Sequence, residues 1–302
     1  MKTKQFIQKS ALLVLTIGFT ACLKLDANLY NKKKLDAYQL DNYTGEQDFI
    51  LSQDYAIPGS LIHQFTLQSK SKNESKATTI HAIYIGNLTT IANDTIIVYC
   101  HGNKWHMDFY WQRAKLLAHV NGKNKYGVLM MDYRGYGLSE GEPSEEGMYA
   151  DVDACFQWLK QNGAKDNQVM IYGFSMGSAP SCELTANVSS LSPSKLILEA
   201  PFASSAVMAQ DGSQLSMSAS YFTDLKIDNA EEIKKIKIPF LWLHGTNDNF
   251  LNYKTHGQVV YNNYQGIYKT HVLIKDADHS EVPSKMGFDA YLRTLKEFIT
   301  KK

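Results

Sequence analysis

From Thr95 to the C-terminus the chain alternates between two rhythms. Short runs rich in apolar residues recur at Ile96–Cys100, Val128–Met131, Val169–Tyr172, Leu196–Leu198, Phe240–Leu243 and His271–Ile274. Runs of this kind predict strands buried on both faces. Between them lie stretches with helical spacing: Phe109–Val120, Glu145–Leu159, Ala179–Ala186, Tyr253–Tyr264 and Lys285–Ile299. Ser144 stands where the second of these helices needs an N-cap. Strands alternating with helices predict an α/β fold, with a mostly parallel central sheet flanked by helices.

Before Thr95 the pattern is different. Leu61–Leu67 and Thr79–Ile85 alternate apolar with polar positions and predict an antiparallel pair, with Ser69–Ala77 as a solvated hairpin loop. Leu23–Asp48 is polar with scattered apolar residues and carries Lys32, Lys33 and Lys34. It reads as a tether at residues 23–48, leading into one domain at residues 49–302. Residues 1–22 read as a signal peptide. Lys2, Lys4 and Lys9 precede a short apolar run from Ala11 to Thr20, too short to span a bilayer. Ala21-Cys22 closes the run in the manner of a lipoprotein signal, although Phe19 stands where Leu is usual. Cys22 would then become the acylated N-terminus of an exported, membrane-tethered protein.

In an open parallel sheet, ligands bind beyond the carboxyl ends of the strands, so the residues there are the candidates for chemistry. His101-Gly102-Asn103, Asp132–Gly137, Ser175, His244–Asp248 and Asp276–His279 all follow predicted strands. Ser175 lies in Gly173-Phe174-Ser175-Met176-Gly177, a Gly-x-Ser-x-Gly pattern between a strand and a helix. A sharp strand-to-helix turn strains the serine backbone and lifts its hydroxyl clear, while the glycines leave room for close approach. The helix N-terminus behind it offers amides to a developing oxyanion. Ser175, Asp248 and His279 then occur in the order nucleophile, acid, base. Asp276 and Asp278 flank His279, but neighbouring side chains on one turn rarely face each other, so Asp248 is the expected acid. His101 is expected to shape its loop through hydrogen bonds, and His244, which precedes a Gly, to anchor a strand end.

These residues resemble the α/β-hydrolase superfamily from roughly Ile80 onward. Asp132–Gly141, Pro143–Gly147, Ala200–Ser204 and Ile238-Pro239 are similar to the bud-emergence-protein-like branch. That branch overlaps serine-aminopeptidase-like sequences and is similar to mammalian protein depalmitoylases. The resemblance implies a serine hydrolase without a cofactor, acting on small-molecule or acyl substrates. It implies Ser175 as nucleophile, His279 as base and Asp248 as its orienting acid, with the backbone amides of Asn103 and Met176 as oxyanion hole. It also implies a short lid at about residues 202–237. Within and near it, Phe202, Met208, Met217, Tyr221 and Phe222 are candidates for an acyl pocket or for lid packing, with Trp105 facing them in expectation. Trp105, His106 and Trp111 depart from the small residues usual after His-Gly-Asn.

Composition narrows the choice of partner. Across 302 residues the formal net charge is +1, which gives no electrostatic case for nucleic acid. No cluster has metal-ligand spacing and no Gly-rich phosphate loop occurs. Cys100, Cys155 and Cys182 fit neither a metal site nor a disulfide framework, though a Cys155–Cys182 bridge is open to an exported chain. The leading expectation is an exported ester or thioester hydrolase. An aminopeptidase-like serine peptidase is the alternative enzyme, with Glu199 and Asp211 as the local acidic residues that could hold a substrate ammonium. A non-catalytic binding protein on the same fold is the third reading.

Overall fold

The computed structural model describes residues 30–213 and 223–301. Eight strands form one sheet: β1 (Ile62–Ser69), β2 (Thr78–Ile85), β3 (Ile96–Cys100), β4 (Gly127–Met131), β5 (Val169–Phe174), β6 (Lys195–Glu199), β7 (Phe240–Gly245) and β8 (Lys269–Ile274). Their spatial order is β1-β2-β4-β3-β5-β6-β7-β8. β1 and β2 run antiparallel to their neighbours, and every pairing from β4 to β8 is parallel. The alternating strands are thus the antiparallel ones, and the continuous apolar runs are the parallel ones. β3, β4, β5 and β7 are buried along their whole length.

The helices are α1 (Met107–Ala118), α2 (Glu145–Gln161), α3 (Ser178–Ala186), α4 (Ser205–Ser213), α5 (Asn229–Glu232), α6 (Gly257–Asn263), α7 (Val282–Met286) and α8 (Phe288–Thr300). The two-residue period of a strand splits the core into layers. Ile96, Val98 and Cys100 face one layer with Val152 and Phe156 of α2 and Cys182 of α3. Ile97 and Tyr99 face the other, with α1 and with Tyr291, Leu295 and Phe298 of α8. Each such fully buried aliphatic side chain contributes on the order of 1.5–3 kcal/mol. The Ser144 hydroxyl accepts the Gly147 amide at 3.1 Å and caps α2 as expected. The terminal helix expected as one piece is two, because Gly287 at φ +81° turns the chain between α7 and α8. α6 begins at Gly257, four residues later than expected.

Residues 30–48, read from sequence as part of a tether, lie packed across the body. With residues 49–61 they form a strap of irregular chain and three short 3-10 turns, Leu40–Asn42, Gln53–Tyr55 and Gly59–Leu61. Asp108 of α1 accepts the backbone amides of Gln39 and Leu40 at 2.9 and 2.8 Å. Tyr38 donates to Asp132 at 2.6 Å, and Asp48 is ion-paired with Arg113 of α1. A polar stretch with scattered apolar residues reads as a tether in sequence. Here it is bonded to a helix more than sixty residues away. The cysteines at 100, 155 and 182 are all free and buried, so α2 and α3 are not bridged. No helix among the described residues is long and apolar enough to cross a membrane.

Candidate active site

β5 ends at Phe174 and the chain turns at once through Ser175–Gly177 into α3. Ser175 pays for this turn with φ +52°, a left-handed conformation that costs a non-glycine residue about 1–3 kcal/mol. A Cβ on Gly177 would strike the carbonyl of Cys100 on β3, and one on Gly173 would strike Gly177 and Ser181. The two glycines therefore let the elbow sit against both β3 and its own helix. The Ser178 hydroxyl donates to the Ser175 carbonyl at 2.7 Å and holds the turn from below.

His279 stands beyond β8 and Asp248 beyond β7. Ser175 Oγ lies 2.8 Å from His279 Nε2, and His279 Nδ1 lies 2.7 Å from Asp248 Oδ2. A carboxylate only accepts, so Nδ1 carries the proton and Nε2 is left to take the serine's. Asp248 Oδ1 accepts the amides of Phe250 and Leu251 at 3.0 and 2.7 Å. Burial works to raise the Asp248 carboxyl, but hydrogen bonds from His244, His279 and Leu251 hold it well below the usual carboxylate range. Asp278 is engaged differently. Its Oδ1 accepts the amides of His279 and Asn249 at 2.8 and 3.2 Å, tying the histidine loop to the aspartate loop. Asp276 sits at φ +58° with its amide bonded to Thr246.

The oxyanion candidates share a third support. β3 and β5 pair in parallel with Cys100 beside Gly173, which brings the Asn103 loop alongside the Ser175 elbow. The Tyr136 hydroxyl lies 2.8 Å from Asn103 Oδ1 and 3.8 Å from the Met176 sulfur, touching both residues. Asn103 Oδ1 also accepts the amides of Lys104 at 2.7 Å and of Asn31, on the strap, at 3.0 Å. His101 shapes this loop as expected: Nδ1 lies 2.7 Å from the Gly102 carbonyl and Nε2 3.1 Å from Asp132.

The expected pocket residues are mostly packing. Phe202 is buried in the core, and Met208 is half-buried against it. Trp105 stacks on Phe109 at 5.1 Å and takes the Lys104 ammonium 4.4 Å over its ring. Phe222, with Met217 and Tyr221, lies outside the described residues, as does Cys22. Glu199 is fully buried and paired with Arg113 at 2.6 Å, and it accepts Tyr172 and Tyr291 hydroxyls. Asp211 lies 3.3 Å from His256 and accepts Thr255 at 3.1 Å. Burial pushes the Cys100 thiol up to about 12, so it offers no thiolate.

Known proteins bear on this arrangement at two levels. A family model described as serine aminopeptidase, S33, matches residues 92–232. The alpha/beta hydrolase domain-containing protein 17B of Xenopus tropicalis is 29% identical over 207 residues, 68% of this chain and 66% of that protein. Its Homo sapiens namesake is 28% identical over the same length. The match thus spans just under two thirds of these relatives. Among solved structures, an esterase from Pyrococcus furiosus has a TM-score of 0.66 at 14% identity, covering 90% of this chain and 97% of that one. An esterase from Exiguobacterium antarcticum has a TM-score of 0.56 at 18% identity, covering 78% and 99%. The chain has the α/β-hydrolase fold and is similar in sequence to α/β-hydrolase domain-containing proteins. The matched segment holds Asn103, Ser175 and Met176 and ends before Asp248 and His279.

Three residues at or behind the site make contacts that the reading of the sequence did not give. His244 Nε2 donates to Asp248 Oδ2 at 3.0 Å. Phe250 is 63% exposed, with its ring edge-on to His279 at 5.1 Å. Arg113 donates to the Ser280 carbonyl at 2.9 Å, and its guanidinium lies 4.2 Å over Phe174, whose ring also packs on His279 at 5.3 Å. Trp242 and His244 share one face of β7 by the two-residue period, a signal that could have flagged the first. Arg113 had none, since a lone arginine on an amphipathic helix ordinarily faces water.

Proposed function

We propose that this α/β-hydrolase-fold protein is a serine hydrolase that cleaves carboxylic ester or thioester bonds through an acyl-enzyme on Ser175. The continuous hydrogen-bonded path from Ser175 Oγ through His279 to Asp248 carries this reading. His279 Nε2 takes the hydroxyl proton as Oγ attacks the acyl carbon, and returns it to the leaving oxygen or sulfur. Asp248 keeps the imidazole in the reactive tautomer and stabilises the imidazolium. The amides of Asn103 and Met176 would receive the oxyanion, and losing one such donor typically costs about 3 kcal/mol. Water then repeats the sequence on the acyl-enzyme, with His279 as its base. The exposed Phe250 beside His279 offers an apolar contact to the leaving group.

The peptidase reading is the weaker one. An aminopeptidase needs an uncompensated carboxylate for the substrate ammonium, and Glu199 is already neutralised by Arg113 and sealed by two tyrosines. A purely binding role gives no reason to hold Ser175 in a strained backbone. We further propose export and acylation at Cys22, with stable anchoring through more than one chain, since a single chain binds membranes only marginally. Detergent-phase partitioning of wild type and Cys22→Ser tests this; both proteins in the aqueous phase would reject it. For the chemistry, a fluorophosphonate probe should label wild type and not Ser175→Ala. A panel of short and long acyl esters, thioesters and aminoacyl amides should show turnover on the first two classes. Turnover confined to aminoacyl amides would move the assignment to the peptidase.

A further inference from the structure

The catalytic aspartate has a second histidine. His244 Nε2 lies 3.0 Å from Asp248 Oδ2, the same oxygen that faces His279 Nδ1, and 2.9 Å from the Leu251 carbonyl. On its other side, the Trp242 indole nitrogen lies 3.1 Å from His244 Nδ1. An indole N–H can only donate, so Nδ1 must present a lone pair and Nε2 must carry the hydrogen. The tautomer of His244 is therefore set by its neighbours. Both oxygens near Nε2 are acceptors, so that one hydrogen is shared between Asp248 and Leu251. The ring cannot shift to escape this arrangement. His244 and Trp242 are buried, and a Cβ on the adjoining Gly257 would run into Trp242 Nε1 and His244 Nδ1.

We propose that His244, locked by Trp242 as the Nε2–H tautomer, is a positioning residue that holds the Asp248 carboxylate for His279. This rests on the serine-hydrolase reading above. Oδ1 is pinned by two backbone amides, whereas Oδ2 is held only by side chains. His279 must move and change charge during turnover, so it is a poor fixed point. His244 does neither, and it supplies the anchor that lets Oδ2 stay in place while His279 cycles. It also takes part of the charge on Oδ2, so less of that charge is left to bind the imidazolium.

Two consequences differ from those of a strand-end packing residue. Without the Nε2 donor the carboxylate is free to swing about its Oδ1 anchor, which slows the chemical step and leaves substrate affinity alone. All of the Oδ2 charge then falls on His279, so its protonated form is favoured and the acid limb of kcat/KM moves to higher pH. Several other groups bear on the same limb. Asp278 and Glu281 lie on the histidine loop, and Asp48 and Arg113 lie across Phe174. His256 and Tyr253 lie beside His244, and Asp211 pairs with His256. None of these changes in the variants below.

The experiment compares wild type, His244→Gln and His244→Leu on a short acyl ester from pH 5 to 9, with fluorophosphonate labelling and circular dichroism. Gln places an N–H where Nε2 stands; Leu keeps bulk and removes the donor. For Leu the expected loss is about 10- to 100-fold in kcat with KM within about twofold, the range set by small misplacements at a reacting centre. Its acid limb should rise by about half a pH unit or more. Gln should recover kcat to within about fivefold, and the wild-type limb with it. A folded Leu variant with wild-type kcat and limb overturns the proposal, and so does a Gln variant as impaired as Leu. Nitrogen-15 histidine NMR of wild type adds a readout that needs neither turnover nor a variant. His244 should appear as the Nε2–H tautomer from pH 6 to 8, and an Nδ1–H tautomer overturns the proposal even if the Leu variant does not fold. If wild type neither labels with the probe nor turns over any ester or thioester, the function reading fails by itself. The tautomer result still judges the lock.

Discussion

The loops at the carboxyl ends of the strands and the strap at residues 30–61 both reach the active site, and they are built in opposite ways. Each strand-end loop is short and follows its own apolar run. Three of them each present one side chain of the candidate site: Ser175 after β5, Asp248 after β7, His279 after β8. The strap presents none. It reaches the site through fastenings to α1 and to the loop after β4: Asp108 to Gln39 and Leu40, Lys115 to Asp41 at 2.5 Å, Gln112 to Gln47 at 2.8 Å, Arg113 to Asp48, and Asp132 to Tyr38. Every residue of α1 is buried for this reason, including Asp108, Gln112, Arg113 and Lys115. Its polar face looks at the strap, not at water. On the proposed function the difference is a division of labour: the loops carry the chemistry, and the strap keeps the loops' supports in place.

The largest expected effects test the loops. Ser175→Ala should abolish probe labelling and turnover because the attacking oxygen is gone, and His279→Ala should cost nearly as much, since members of one unit are non-additive. Asp248→Asn should keep the fold and lose on the order of 10⁴ in turnover by presenting the wrong tautomer partner to His279. Asp276→Asn should cost less than about tenfold, as Asn tolerates the left-handed conformation found there. Asp278→Asn should also stay within about tenfold, because an amide oxygen can still accept the His279 and Asn249 amides. Steady-state turnover of a short acyl ester by these variants is the measurement. A dead Asp278→Asn beside an active Asp248→Asn would reverse the assignment of the acid.

The same division explains what could be read from the residues alone. The parallel sheet, the elbow and the order Ser175, Asp248, His279 were legible because each depends on local pattern: an apolar run, then a turn, then a reactive residue. The strap was not, because the fastenings named above join residues 65 to 94 positions apart and its turns hold no fully buried residue. Polar residues with scattered apolar ones look the same whether they meet water or Asp108. His244 was seen as a strand anchor for a similar reason. Its partners Trp242 and Asp248 are near in sequence, but nothing in the pattern says which ring nitrogen faces the acid. Glu199 was weighed for a substrate ammonium, and only packing reveals that Arg113 already holds it.

Next in size come the buried charges where strap and site meet. Arg113→Leu strands Asp48 and Glu199 in the interior and should destabilise the fold by about 3–5 kcal/mol, enough to lose soluble protein. Asp48→Asn leaves the Arg113–Glu199 pair intact and should cost less, about 1–3 kcal/mol in urea unfolding. Burial already pushes the Asp48 carboxyl up against the pull of Arg113. Asp248 behaves in the other direction. Its folded-state pKa is depressed, so its stabilising contribution is complete above about pH 4 and lost as pH falls toward the folded value. The stability gap between wild type and Asp248→Asn should therefore be flat from pH 5 to 8 and close below about pH 4. A gap that widens in acid would mean that Asp248 is not held ionised by its two histidines.

The smallest effect is the sharpest test of the division. Tyr38 accepts the Leu138 amide at 3.1 Å and donates to Asp132, and the same Asp132 faces His101 at the root of the Asn103 loop. Tyr38→Phe removes both bonds and keeps the ring. It leaves one oxygen of a buried carboxylate without its donor, which should cost about 1–2 kcal/mol in urea unfolding. If the strap only supports, turnover per folded molecule should change by less than about threefold, because the Asn103 loop keeps its bonds from Tyr136, Asn31 and Lys104. Equilibrium unfolding and kcat measured on one preparation separate the two quantities. A loss of kcat beyond about tenfold at near wild-type stability would make the strap part of the oxyanion apparatus, since a donor lost there costs 10²- to 10³-fold. Tyr38 reaches Gly102 through Asp132 and His101, so His101→Asn should reproduce the loss if it runs by that route.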